Sequence, residues 1–227
     1  MCASNLFGCG YVLLMVCGVA LSALALFYPA GIIIDKASPV FKECLQNNKN
    51  CDKAKTILDS DILPYSCSFA TLFNLLENKD FDNIKVECGK DYLDKVDKQI
   101  KTIWISSATG IAISGVGVLA GILTIVLFSC CGCLRAIPMI LLTAIGVALT
   151  ACMITFVVCY HDKMDYYDDK ISSLFPNYDP TTMIRNTFWF GIGAVVAGGA
   201  SAIVAFFGIN FLKGYLSTII IFISFFL

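Results

Sequence analysis

Twelve cysteines are the residues of this chain best placed to do chemistry. Four of them, Cys44, Cys51, Cys67 and Cys88, fall in one polar stretch, 35–101. An even number of thiols in a polar segment is the pattern of disulfides formed in an oxidising compartment. Zinc is the alternative use of four thiolates, disfavoured because no close Cys-x-x-Cys pair occurs there. Four cysteines allow three pairings, and the nested one is expected here, Cys44 with Cys88 and Cys51 with Cys67. A second set, Cys130, Cys131 and Cys133 beside Arg135 together with Cys2 and Cys9, sits at the ends of apolar runs. Clustered thiols at a membrane boundary are substrates for S-palmitoylation, and acylation is expected at these five. Cys17, deeper in its run, reads as an ordinary small apolar residue.

His161, Asp165, Asp168 and Asp169 share one helical face, with Asp162 nearby, and could ligate a divalent cation through imidazole and carboxylate. No turn glycine or calcium-loop spacing accompanies them, so a solvated acidic face is the expectation and no metal site is assigned. His161 is the single histidine. It stands at a helix end, which leaves general-base chemistry without a good candidate. No glycine-rich phosphate cradle follows a strand. No enzyme activity and no cofactor are expected.

The elements that carry these residues follow from composition. Of 227 residues, 58% are apolar and 15% charged, where soluble domains carry roughly a quarter charged. Seventeen acidic residues against 16 basic ones leave no basic excess for nucleic acid. Four runs, 11–34, 102–128, 137–160 and 187–212, contain no Asp, Glu, Lys, Arg or His. Each is near the roughly 20 residues that a helix needs to cross hydrocarbon. The expected fold is therefore an all-α membrane protein with four transmembrane helices. Uncharged spans argue against an ion-coupled transporter, because intramembrane charges are retained mainly for such pathways. The first run lacks a preceding basic residue and a convincing cleavage site, and reads as a retained span.

Four spans put 1–10, 129–136 and 213–227 on one side and 35–101 and 161–186 on the other. Arg135 and Lys213 stand on the first side without any acid. With the cysteine-bearing loop opposite, this orients both termini to the cytosol and both loops outside or in a lumen. An integral membrane protein of the secretory route, at the plasma membrane, is expected. No Asn-x-Ser/Thr triplet marks the outer side.

Within 35–101 the pattern is helical, giving a small disulfide-bonded domain between the first two spans. Ser38-Pro39 reads as a helix start, Asp52 as the cap of a second helix, and Ser66 or Ser68 as the cap of a third carrying Phe69, Leu72, Phe73 and Leu76. A fourth follows Gly89, and its Tyr92, Leu93, Val96 and Ile100 share a face leading into the second span. Small residues line that span at Ser106, Gly110, Ser114, Gly117 and Gly121. The fourth span has the same pattern at Gly191, Ala194, Gly198, Ser201, Ala205 and Gly208. Such faces let helix backbones approach closely; packing inside the four-helix bundle is expected, with contact to another subunit the alternative. Lys213 and Gly214 read as a break, followed by an apolar tail too short to cross again.

The run Cys130-Cys131-Gly132-Cys133-Leu134-Arg135 between two glycine-rich spans resembles the inner loop of tetraspanins, which is cysteine-rich and acylated. Tetraspanins, however, carry their large loop, with a Cys-Cys-Gly motif, between spans three and four. The loop order here is similar to that of claudins and related auxiliary tetraspans, without the tryptophan pattern of the claudin first loop. The resemblance implies a four-span architecture and transfers no functional residue. The expected function is a non-enzymatic organiser or auxiliary subunit of a membrane protein complex, with membrane lipids and other integral membrane proteins or its own copies as partners. The alternatives are an oligomeric channel subunit and a subunit of a lipid-binding or lipid-transfer complex.

Overall fold

A computed structural model describes residues 2–47, 51–58, 60, 96–130 and 136–226. The described residues form six helices and no strand: α1 (Cys2–Asn47), α2 (Cys51–Leu58), α3 (Lys98–Cys130), α4 (Ala136–Asp162), α5 (Met164–Leu174) and α6 (Thr181–Phe226). Four of them are long and apolar enough to cross a membrane, over Leu6–Cys44, Lys98–Val126, Pro138–Asp162 and Thr181–Gly208.

All four helices extend past their apolar runs, α1 and α6 by the most. The helix start expected at Ser38-Pro39 does not occur; α1 continues through Pro29 and Pro39 to Asn47. An interior proline removes one backbone bond and costs about 3 kcal/mol. The compensation is packing, since Ile33, Ala37, Phe41 and Cys44 stay buried in phase across Pro39. The break expected at Lys213 and Gly214 is also absent, because α6 runs on to Phe226. Conversely, the helix expected to rise unbroken from Gly89 into the second span is interrupted at Val96 and Asp97. Asp97 caps α3, its Oδ1 accepting the backbone N–H of Gln99 at 2.8 Å and of Ile100 at 3.4 Å. The third expected helix and residues 89–95 lie outside the described residues.

The chain divides into two compact units, each drawing on several helices. Unit 1 comprises Met1–Ala23, Ser106–Thr155 and Phe190–Leu227. Most of its buried residues recur at alternating steps of three and four, the 3.5-residue period of left-handed helix packing, with Ser106, Ala197 and Ala202 buried beside them. In α1 they are Gly8, Tyr11, Met15, Gly18 and Ser22; in α3, Ser107, Gly110, Ser114, Gly117, Gly121 and Thr124. In α4 they are Met139, Leu142, Gly146, Leu149 and Met153; in α6, Gly191, Ala194, Gly198, Ser201, Ala205 and Gly208. The seams of α3 and α6 are made of small residues, whereas α1 and α4 supply most of the large side chains that fill them.

Unit 2 comprises Leu24–Ile105 and Phe156–Trp189. Its core holds Ala30, Ile33, Ala37 and Phe41 of α1, Ala54 and Ile57 of α2, Ile100 and Ile103 of α3, and Tyr167, Ile171 and Leu174 of α5. Phe156, Tyr160 and Tyr167 form a stacked column, with ring centroids 5.4 and 5.5 Å apart.

Candidate functional site

The sites anticipated from sequence divide between the two units. In unit 1 Gly110, Gly117 and Gly121 of α3 are contact points for larger side chains. A Cβ added to Gly110 would lie 2.6 Å from Met153 Sδ and 3.1 Å from Ser22 Oγ. At Gly117 it would meet Met15 Sδ at 2.9 Å, and at Gly121 Val12 Cγ2 at 2.6 Å and Tyr11 Cδ1 at 3.1 Å. Ser114 is fully buried and donates to the Gly110 carbonyl at 2.7 Å, which leaves no donor facing hydrocarbon.

Between α4 and α6 the approach is backbone to backbone. A Cβ on Gly198 would lie 2.8 Å from Thr150 Oγ1, 3.0 Å from Thr150 N and 3.2 Å from the Gly146 carbonyl oxygen. Gly208 faces Met139 at 3.3 Å, and Gly191 is buried. Sequence reasoning missed Gly146, the tightest of these positions, where a Cβ would meet Ala202 N and Ser201 Oγ at 2.8 Å and Ala202 Cα at 2.9 Å. A lone glycine among large seam residues gives no Gly-x-x-x-Gly signal; its spacing from Leu142 and Leu149 was the clue available.

Unit 2 carries the cysteine bridge and the polar contacts. Cys44 bonds to Cys51, with a Cα separation of 4.8 Å. The nested pairing is therefore corrected: Cys44 does not pair with Cys88, nor Cys51 with Cys67. The physical reason is local. Because α1 does not stop at Pro39 but reaches Asn47, a short connection brings the first residue of α2 beside Cys44. Cys67 and Cys88 lie outside the described residues.

Lys163, at the turn between α4 and α5, pairs with Asp97 at 3.3 Å and lies 5.6 Å from the Tyr166 ring centroid. The Asp97 carboxyl is held below its ordinary range, chiefly by the Gln99 N–H and further by Lys163. Asp179 is held low in the same way, its carboxylate accepting from the Thr181 hydroxyl and backbone N–H at the start of α6. Asn186 donates to the Tyr28 hydroxyl at 3.2 Å. The Lys36 ammonium stands 5.4 Å from the centroid of Tyr178. Burial pushes the Tyr178 phenol up, with Tyr28 and Asp179 adding to the shift.

His161 lies 4.0 Å from Asp162 and is largely exposed, and Asp165 and Asp169 are exposed. Among the described residues no three of His, Cys, Asp and Glu converge as a metal site. Of the thiols expected to be acylated, Cys9 is free and exposed on α1. Cys2 opens α1 and Cys130 closes α3, while Cys131 and Cys133 lie outside the described residues.

No family model, no curated protein and no solved structure matches this chain.

Proposed function

We propose that the protein is a non-enzymatic four-span subunit that organises or supports other membrane proteins. The observation that carries this reading is the use made of the interior of unit 1. Its large side chains, Tyr11, Met15, Leu142, Leu149 and Met153, are each at most 1% exposed and are spent on cohesion against glycine and serine seams. Recognition is left to the outward faces. These are apolar, with Leu13, Val116, Leu119, Leu123, Val147, Val196 and Ile203 each more than half exposed, as suits surfaces meeting lipid or other spans.

In this reading both termini and the 131–135 connection are cytosolic, and the Cys44–Cys51 bridge lies in the oxidising space outside, at the plasma membrane. Cys2, Cys9, Cys130, Cys131 and Cys133 are the acylated thiols. The helix of α6 beyond Gly208 is the principal partner contact. Residues 214–227 carry no charge. An interfacial lipid anchor would need basic residues on one face and a bend out of the span axis, and α6 has no break there. The test compares the full chain with chains ending at Leu212 by co-purification from mild detergent. Loss of partner recovery with unchanged membrane insertion is expected. Unchanged recovery and unchanged size would refute the reading, and a conducting homo-oligomer from the full chain would replace it with the channel alternative.

A further inference from the structure

The uncharged stretches of α1 and α6 end at one level of unit 2. On α1 the first charges after the span are Asp35 and Lys36, and on α6 the last before it is Arg185. The level is shared because Asn186 donates to the Tyr28 hydroxyl at 3.2 Å. First charges and tyrosines at a span end mark the headgroup region of a bilayer.

The polar groups gathered at this level are mostly donors. Lys36 has its own chain neighbour Asp35 as its carboxylate, at 3.8 Å, and its ammonium stands 5.4 Å from the centroid of the Tyr178 ring. The Tyr178 phenol lies within electrostatic reach of that of Tyr28, and its hydroxyl has no hydrogen-bond partner among the described residues. Asn186 gives one amide N–H to Tyr28, and the other is unpaired among the described residues. Of the two carboxylates nearby, Asp179 accepts from the Thr181 hydroxyl and backbone N–H, and the Asp35 side chain is 79% exposed. A cation, a hydroxyl and an amide with donors to spare fit a ligand that brings acceptors.

The outward face of α1 at this level has room and an apolar floor. Gly31 is exposed, and a Cβ there would meet nothing within 4 Å. Toward the middle of the span follow Phe27 and Leu24, 57% and 41% exposed. The order toward hydrocarbon is thus ammonium, phenol, amide and apolar surface. A glycerophospholipid presents phosphate, ester carbonyl and acyl chain in the same order, whereas a free phosphate has nothing to lay on Phe27 and Leu24.

We propose that Lys36, Tyr178 and Asn186 bind one glycerophospholipid of the adjacent leaflet. The phosphate diester accepts from the Lys36 ammonium and the Tyr178 hydroxyl, an ester carbonyl accepts from the second Asn186 N–H, and an acyl chain lies on Phe27 and Leu24. The lipid ties α1 to the start of α6 and acts as a structural ligand of unit 2.

The test is native mass spectrometry of the full chain released from detergent, titrated with a phosphatidylcholine or with the diacylglycerol of the same chains. Retention of one phosphatidylcholine is expected, with weaker retention of diacylglycerol. Lys36→Gln should weaken phosphatidylcholine binding by about tenfold, and Lys53→Gln, which removes an exposed cation of α2, should leave it unchanged. Equal binding of diacylglycerol, an unaffected Lys36→Gln, or an equal loss in Lys53→Gln would each overturn the proposal. A phosphatidylcholine carrying a headgroup diazirine, photolysed with the parent chain in nanodiscs, should label 28–36 and 178–186 above the ends of the other spans. Even labelling of all four span ends would mean surrounding lipid only and overturn the site. If Lys36→Gln fails to insert, this labelling of the parent decides alone.

Discussion

The closest approach described between α4 and α6 gives a sharp prediction at Gly146. A methyl group there would sit 2.8 Å from both Ala202 N and Ser201 Oγ and 2.9 Å from Ala202 Cα. Favourable non-bonded separations are about 3.5–4.0 Å, so α4 and α6 must part locally by roughly 0.6 Å or more. Rotating the Ser201 side chain relieves only one of the three contacts, since the other two are backbone. Overpacking of this kind costs about 1–3 kcal/mol. Because the neighbours are rigid, Gly146→Ala belongs near the upper end, a loss of about 30- to 150-fold in the folding equilibrium. Gly115→Ala is the matched control: it lies on the spanning helix α3, and a Cβ there meets nothing within 4 Å. It should be neutral or gain up to about 1 kcal/mol of helix propensity. Reversible unfolding in mixed micelles by increasing SDS mole fraction measures both. A Gly146→Ala midpoint equal to or above that of Gly115→Ala would refute the inferred helix approach. Gly198→Ala should behave like Gly146→Ala, with the pair less than additive because the helices need part only once.

Mass mapping of the native protein without reductant should place Cys44 and Cys51 in one bridge, and a Cys44–Cys88 peptide would contradict the helix-turn geometry. Removing the bridge by Cys44→Ser with Cys51→Ser should destabilise the chain by no more than about 2.5 kcal/mol, the loop-closure value for so short a loop. Asp97→Ala should cost about 1 kcal/mol through loss of the α3 cap. Because the folded carboxyl titrates below its unfolded range of about 3.9, the contribution of Asp97 is complete above that range and fades as pH falls through the lowered folded value. The stability difference between parent and Asp97→Ala should therefore shrink on acidification below about pH 4. Hydroxylamine-sensitive acyl label should be present on the parent and fall in Cys130→Ser/Cys131→Ser/Cys133→Ser; unlabelled parent protein would reject acylation.

The spans were legible because their signal is cumulative: four long runs without a formal charge leave few alternatives to spanning helices. Their ends were not, for opposite reasons. Pro39 is a strong local signal for a helix start, but in α1 it is outweighed by an apolar phase that continues through Ala37 and Phe41 to Cys44, which no four-residue window contains. Asp97 is a weak local signal amid a polar stretch, and only its bonds to Gln99 and Ile100 identify it as the cap. The disulfide partner of Cys44 depended on where α1 ends, so an error of one helix boundary became an error of pairing. The α3 and α6 glycines could be listed from their spacing, whereas what meets them, the methionines 15, 139 and 153 on other helices, could not.

That last point constrains where a partner can bind. A face of small residues has the same sequence signature whether it receives a helix of its own chain or one from another protein. Here Gly110, Gly117, Gly121, Gly198 and Gly208 all have neighbours from other helices of the same unit within 3.3 Å of the position an added methyl would take, so a partner could reach them only by displacing Met153, Met15, Val12, Thr150 or Met139. Each displacement would expose a seam that holds the unit together. Under the proposed function, partner contact would therefore fall on outward positions, and truncation or substitution there should separate loss of a complex from loss of fold, which substitutions in the glycine seams cannot do.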